Sequence, residues 1–286
     1  MRVVIIGAKG MLGQELVRVF EDADVSAWNT TEVDITDAVA VRDRIGAARP
    51  QIIINAAAYN AVDRAEEEPE VANQVNGAAV GYIAEAAAEV GATFVHYSTD
   101  YVFDGTKTGG YEEQDEPNPI SAYGRSKRAG EDALRAVVAA HPNLPWYLIR
   151  TSRLFGAPAS SLGAKRSFVD TMVALSRTRD RIEVINEEVS SPTYVVDLAA
   201  ATRAILDHKL SSGIYHRTND GACTWFDFAQ EIFRVIGWRG ELTPIPASAY
   251  PRPACRPALS ILQTTKLPPL RRWEDALTEY LQNRKS

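Results

Sequence analysis

Apolar residues along the first two hundred positions fall into two alternating textures. Short continuous runs have the length and β-branched content of strands buried on both faces: RVVII at 2–6, VSAW at 25–28, IIIN at 52–55, TFVHY at 93–97, WYLIR at 146–150 and IEVI at 182–185. Between them lie stretches with helical spacing, among them QELVRVFED, VNGAAVGYIAEAAAEVG, SAYGRSKRAGEDAL, 167–177 and 197–207. Strand and helix in alternation predict a doubly wound parallel sheet of the α/β class. From Leu210 the texture changes to GIYHRTNDGACTWFDFAQEIF, a proline-rich stretch between Pro244 and Pro257, and a last helix in RWEDALTEYL. This predicts a smaller, mixed α/β lid. The expected division gives 1–151, 167–186 and 194–209 to a dinucleotide-binding domain. Segments 152–166, 187–193 and 210–286 go to a substrate-binding region.

Composition narrows the function classes. The 286 residues carry a formal net charge of −6 with no compensating basic run, which argues against nucleic-acid binding. No apolar stretch reaches spanning length, and the chain opens directly on a strand. Cys223 and Cys255 are isolated, with no metal-ligand spacing. His96, His141, His208 and His216 are scattered, and neither a metal site nor a nucleophilic triad is expected from them. A soluble, reduced, cytoplasmic protein is the expectation.

The chemistry begins with Gly7, Gly10 and Gly13 in GAKGMLG, placed between a strand and a helix. That context suits a dinucleotide pyrophosphate, because glycine lets backbone N–H groups and a helix N-terminus come close to it. Asn29, at the end of the second strand, stands where an acid would favour NAD and an arginine NADP. It is neither, so the choice between NADH and NADPH stays open. Asp34 either caps a helix or contacts the adenine side, and Asn76 either orients a lysine or serves packing. Tyr123 and Lys127 are four residues apart behind Ser121, a candidate N-cap, which stacks phenol and ammonium on one helix face. Thr99 sits at a strand end. A phenol, a cation and a hydroxyl together can deliver a proton to a carbonyl. The lysine is expected to lower the tyrosine pKa from its ordinary value of about 10.

With glycine loop and Tyr–Lys pair in place, the chain resembles the extended short-chain dehydrogenase/reductases. Within them it is similar to the dTDP-4-dehydrorhamnose reductase family. The resemblance runs through GAKGMLGQEL, VDITD, INAAAYNAVDRAE, YSTDYVFDG, AYGRSK, RTSRLFG, SSPTYVVDLA, GIYHRTNDG and CRPALSIL, nearly the whole chain. It implies a Rossmann-type NAD(P)-binding fold and a nucleotide-sugar substrate. It implies catalytic roles for Thr99, Tyr123 and Lys127, and pyrophosphate and adenosine contacts from Gly10, Met11, Leu12, Asp34 and Ile35. Ala58, Tyr59 and Asn60 fall near the nicotinamide half, Asp100 on a sugar-contacting aspartate, and Arg256 where a nucleotide diphosphate is held. Some relatives use Mg²⁺ between subunits, a role that Glu15 could match. A monomer or homodimer is expected.

Three positions depart from the family pattern: Asn60 for threonine, Arg153 for tryptophan and Glu188 for glutamine. All fall near the expected sugar pocket and leave the sugar open. Arg153 either meets substrate or pairs with Glu187 or Glu188. The expected reaction is reduction of the C4 keto group of a nucleotide-bound 6-deoxysugar. An epimerase or dehydratase of the same superfamily, or a non-catalytic homologue, is the alternative.

Overall fold

The computed structural model describes residues 1–160 and 166–284. Residues 161–165, which belong to the expected 152–166 segment, lie outside the described residues. The first half runs β1 (Arg2–Ile6), α1 (Met11–Val19), β2 (Asp24–Trp28), α2 (Ala38–Ala48) and β3 (Ile52–Asn55). It continues through α3 (Pro69–Asn73), α4 (Ala79–Val90), β4 (Thr93–Thr99), α5 (Ala122–Ala140) and β5 (Trp146–Thr151). Then come β6 (Leu154–Phe155), α6 (Phe168–Leu175), β7 (Arg181–Ile185), β8 (Val189–Ser190), β9 (Thr193–Tyr194) and α7 (Val195–Asp207). The chain ends with β10 (Gly213–His216), β11 (Cys223–Thr224), α8 (Trp225–Ile236), β12 (Glu241–Ile245) and α9 (Trp273–Asn283).

Six strands form one parallel sheet in the order β10-β5-β4-β3-β1-β2. The apolar runs are continuous because both faces are covered. Val4 and Ile6 pack into a core with α2, α4 and α5, while Val3 and Ile5 face α1 and α7. Leu16 of α1 is fully buried in the second core, and truncating such a leucine costs about 2–5 kcal/mol. Connections leave β1 in one direction along the sheet and β3 in the other. A crevice therefore opens at their C-terminal ends, where ligands collect in such folds.

A third core joins Phe155, Val169, Ile182, Val184, Phe228, Ile232, Trp273 and Leu277, so α6, β7, α8 and α9 form a separate body beside the sheet. This changes two expected assignments. The 167–186 stretch, expected with the dinucleotide-binding domain, packs into this body, and β7 pairs in parallel with β12 instead of joining the large sheet. Conversely β10, expected within the substrate region, closes the edge of the large sheet against β5. A strand's own sequence fixes its texture but not the edge that accepts it. Among the described residues, no helix is long and apolar enough to cross a membrane.

Candidate active site

The crevice is a cleft of about 970 Å³ running from the glycine loop, past α5, to the third core. At its first end the backbone makes the wall. Gly7 has φ of +81°, and a Cβ there would meet Ala57 N at 2.6 Å. A Cβ on Gly13 would meet the Gly7 carbonyl oxygen at 2.1 Å, so α1 presses onto the loop only because position 13 has no side chain. Gly10 is the N-cap of α1 and supplies no side-chain cap bond. With Met11 and Leu12 it faces the cleft. That leaves a helix N-terminus and its unpaired N–H groups toward the space a pyrophosphate needs. Ala56, Ala57, Ala58 and Asn60 continue this wall with small side chains.

Several expected cofactor contacts have other duties. Asn29 Oδ1 accepts from Lys9 N at 2.8 Å, and Asn29 N donates to Glu32 at 2.7 Å, so Asn29 pins the glycine loop. Asp34 does not cap a helix: it accepts from Thr36 N and Oγ1, and Asp37 caps α2 through Val39 N and Ala40 N. Ile35 is buried in the core beneath. Tyr59 turns its hydroxyl to Glu68 at 2.6 Å. Gly7, Asn29, Asp34, Ile35 and Tyr59 do not line the cleft. Asn76, in a π-helical turn over Gln74–Ala78 between α3 and α4, clamps Tyr59 from both sides. Its Oδ1 accepts from Tyr59 N and its Nδ2 donates to Tyr59 O, each at 2.9 Å.

Mid-cleft, α5 starts at Ser121, whose Oγ accepts from Gly124 N at 3.1 Å. A Cβ on Gly124 would meet Tyr101 O at 2.2 Å, so the helix start packs directly on the turn after β4. This brings Tyr123 and Lys127 beside Thr99 and Asp100, all lining the cleft. The expected lysine effect on the phenol is not what the structure shows. Burial, then the charge on Asp100, pushes the Tyr123 phenol up, against a hydrogen bond with Thr99 that pulls it down. Lys127 turns its ammonium to Tyr97 O at 2.7 Å, and burial lowers its pKa to about 8. A phenol held neutral at ordinary pH is in the form that can give a proton.

Asp100 is the hub of this wall. Its carboxylate accepts from Thr99 Oγ1 at 2.9 Å, Ser152 Oγ at 2.8 Å and Ser260 Oγ at 2.6 Å. Burial raises its pKa, while these three hydroxyls and the Arg153 charge lower it. Ser152 and Ser260 lie far from Asp100 in sequence, and nothing in their surroundings along the chain signals this partnership.

The other end is made of side chains. Arg153, with φ of +44°, lays its guanidinium over Trp225 at 3.9 Å. It donates to Cys223 O at 2.8 Å and to Glu188 O at 2.7 Å. The expected pairing with Glu188 is thus to a carbonyl. The Glu188 carboxylate instead takes Arg252 and Trp225 Nε1, and Glu187 accepts from Ala247 N. Trp225 packs against the third core and is also a cleft wall. Arg256 pairs with both oxygens of Asp63, at 2.9 and 2.8 Å. Arg166 and Arg179 also line the cleft, and among the described residues neither has an ion-pair partner. Among the described residues no His, Cys, Asp and Glu cluster could hold a metal ion, and Glu15 is buried against Arg18 at 2.9 Å.

The family model described as RmlD substrate binding domain matches residues 1–286. The chain is 39% identical over 290 residues to a dTDP-4-dehydrorhamnose reductase of Streptomyces griseus, covering 97% of this chain and 92% of that protein. Among solved structures, a dTDP-4-dehydrorhamnose reductase from Clostridium acetobutylicum superposes with a TM-score of 0.93 at 36% identity, over 100% of both chains. One from Bacillus anthracis, in complex with NADP, gives 0.91 at 35% identity over 99% of both.

Proposed function

Because the chain belongs to the RmlD substrate binding domain family, we propose that it is an NAD(P)H-dependent reductase of a nucleotide-activated 4-keto-6-deoxysugar, dTDP-4-dehydro-L-rhamnose in the first place. One observation carries the reading. A single cleft joins a glycine-built N-terminus of α1, the Thr99–Tyr123–Lys127 group and an arginine-walled far end. The glycine end fits a dinucleotide, and the bound nicotinamide supplies the hydride. The far end fits an anionic, hydroxyl-rich substrate, with the sugar between Asp100 and Arg153 and the diphosphate toward Arg256, Arg166 and Arg179.

Tyr123 then gives its proton to the oxygen on C4 as the ketone becomes an alkoxide. Its raised pKa keeps that proton in place until charge develops on the acceptor. Thr99 stands beside the phenol, and its hydrogen bond there favours the phenolate left when the proton departs. Lys127, a buried cation, holds ribose hydroxyls and stabilises the developing negative charge. Arg153 brings a planar cation to this wall and hydrogen-bonds sugar oxygens while Trp225 holds it flat.

The test is loss of NADPH absorbance across a panel of 4-keto nucleotide sugars, with product stereochemistry read by NMR. Stoichiometric oxidation with a C4 alcohol as product is expected. Turnover with no net NADPH consumption would indicate an epimerase or dehydratase, and no turnover of any sugar would sink the reading.

A further inference from the structure

Helix α5 places a third ionisable side chain one turn beyond Lys127. Tyr123, Lys127 and Glu131 occupy positions i, i+4 and i+8 of one buried face. Glu131 does not line the cleft and has no exposed surface. It is gripped by Arg150 of β5 through two bonds, Nε to Oε1 at 2.9 Å and Nη2 to Oε2 at 2.6 Å. Arg150 is equally buried, and its remaining reach, to Glu113 O and to His216 Nε2, is long at 3.4 Å each.

The groups around Lys127 can be taken element by element. From β4 come the Tyr97 carbonyl and His96. His96 Nδ1 lies 3.2 Å from Asn55 Nδ2, and among the described residues its buried Nε2 has no partner. That ring is neutral, since burial and the Lys127 charge both oppose its protonation. From the turn after β4 comes Asp100, whose charge bears on Tyr123 and is shared among three hydroxyls. From β5 comes Arg150, a second cation. From α5 itself come Tyr123 and Glu131, and Glu131 is the carboxylate whose charge bears on Lys127. Two buried cations therefore share one anion.

We propose that Glu131, clamped by Arg150, is a positioning residue that holds Lys127 in its ammonium form at working pH. The proposal rests on the reading of Lys127 as the working cation of the reductase. Burial leaves that ammonium little reserve above neutrality, so removing the carboxylate whose charge bears on it matters.

The direct experiment follows the Lys127 side chain by NMR in lysine-labelled protein, with Lys127→Met identifying its signal. Glu131→Gln keeps the shape but leaves Arg150 uncompensated, and should lower the Lys127 midpoint by about one pH unit or more. Arg150→Gln leaves the anion unshared and should raise it. The double variant removes both charges and should return it to within about half a unit of wild type. If one single variant fails to fold, the other and the double still decide. Midpoints that stay at the wild-type value in the folded variants would overturn the proposal, whatever happens to melting temperature. The alkaline limb of kcat with NADPH and dTDP-4-dehydro-L-rhamnose should track the same shifts. Because the titration needs no substrate, absence of turnover on that sugar would count against the reductase reading alone.

Discussion

The two ends of the cleft are built by opposite strategies. At the glycine end the wall is backbone: Gly7 and Gly13 let the loop and α1 pack closely, Gly10 faces the cleft, Ala56 to Ala58 stay small, and the binding groups are N–H donors every residue owns. At the arginine end the wall is side chain, and three of its five arginines are already engaged: Arg153 with two carbonyls and Trp225, Arg252 with Glu188, Arg256 with Asp63. A backbone site is specified by what must be absent and tolerates little change. A side-chain site is specified by pairings across the fold, and one exchange can retune it without rebuilding anything. The first end suits a ligand common to many enzymes, the second a ligand that differs between them.

The largest effect should come where the two ends meet. Tyr123→Phe is expected to lower kcat by about 10²-fold or more while leaving the NADPH Kd nearly unchanged, as for a lost general acid. Stopped-flow reduction and fluorescence titration measure both, and near-wild-type kcat would remove the phenol from that role. Next, Arg153→Ala tests the side-chain end. Loss of a charged hydrogen bond worth about 1.5–3 kcal/mol should raise the sugar KM by about tenfold or more, with cofactor KM unmoved. A lowered melting temperature with unchanged sugar KM would reduce Arg153 to a brace for Glu188 and Cys223.

Gly13→Ala tests the backbone end. Its Cβ has 2.1 Å to the Gly7 oxygen, and overpacking of this kind costs about 1–3 kcal/mol. Calorimetry should show a lower Tm together with weaker NADPH binding. A variant that keeps both would mean that the loop yields easily. A fourth prediction concerns pH. Lys127 loses its charge as pH rises through its pKa of about 8, so kcat should be flat below that pH and fall above it. A pH profile with no alkaline limb up to pH 9.5 would separate turnover from the lysine's charge. The smallest difference is expected between cofactors. Asn29 is spent on Lys9, so kcat/KM for NADH and NADPH should agree within roughly tenfold, or 1.4 kcal/mol. A preference above a hundredfold would point to Glu32 or Lys9, both bonded to Asn29 at that end of the sheet.

The same contrast governs what could be read from the sequence. Glycine loop, strand texture and the Tyr123–Lys127 spacing are local signals, because they arise from sterics within a few residues. The large sheet was therefore legible apart from its edge. Which body claims β7 or β10 depends on pairing partners tens of residues away. Asp37 displaced Asp34 as the α2 cap by three positions, a choice that local propensity leaves nearly degenerate. Ser152 and Ser260 gave no signal, since a hydroxyl becomes functional only when the fold brings it to Asp100. The direction of the Tyr123 shift was missed for a related reason. Spacing shows that a lysine is near but not how deeply the phenol is buried.

The π-helical turn at Gln74–Ala78 has an engineering consequence. It is an inserted residue inside an otherwise regular helix, and local bonding alone would favour its removal. Deleting one residue there would regularise the ladder, yet it would turn Asn76 by about a hundred degrees and release the Tyr59 backbone. Libraries screened for heat resistance alone should therefore be drawn to this turn, and the hits should be sturdier proteins with a slack wall beside the cofactor.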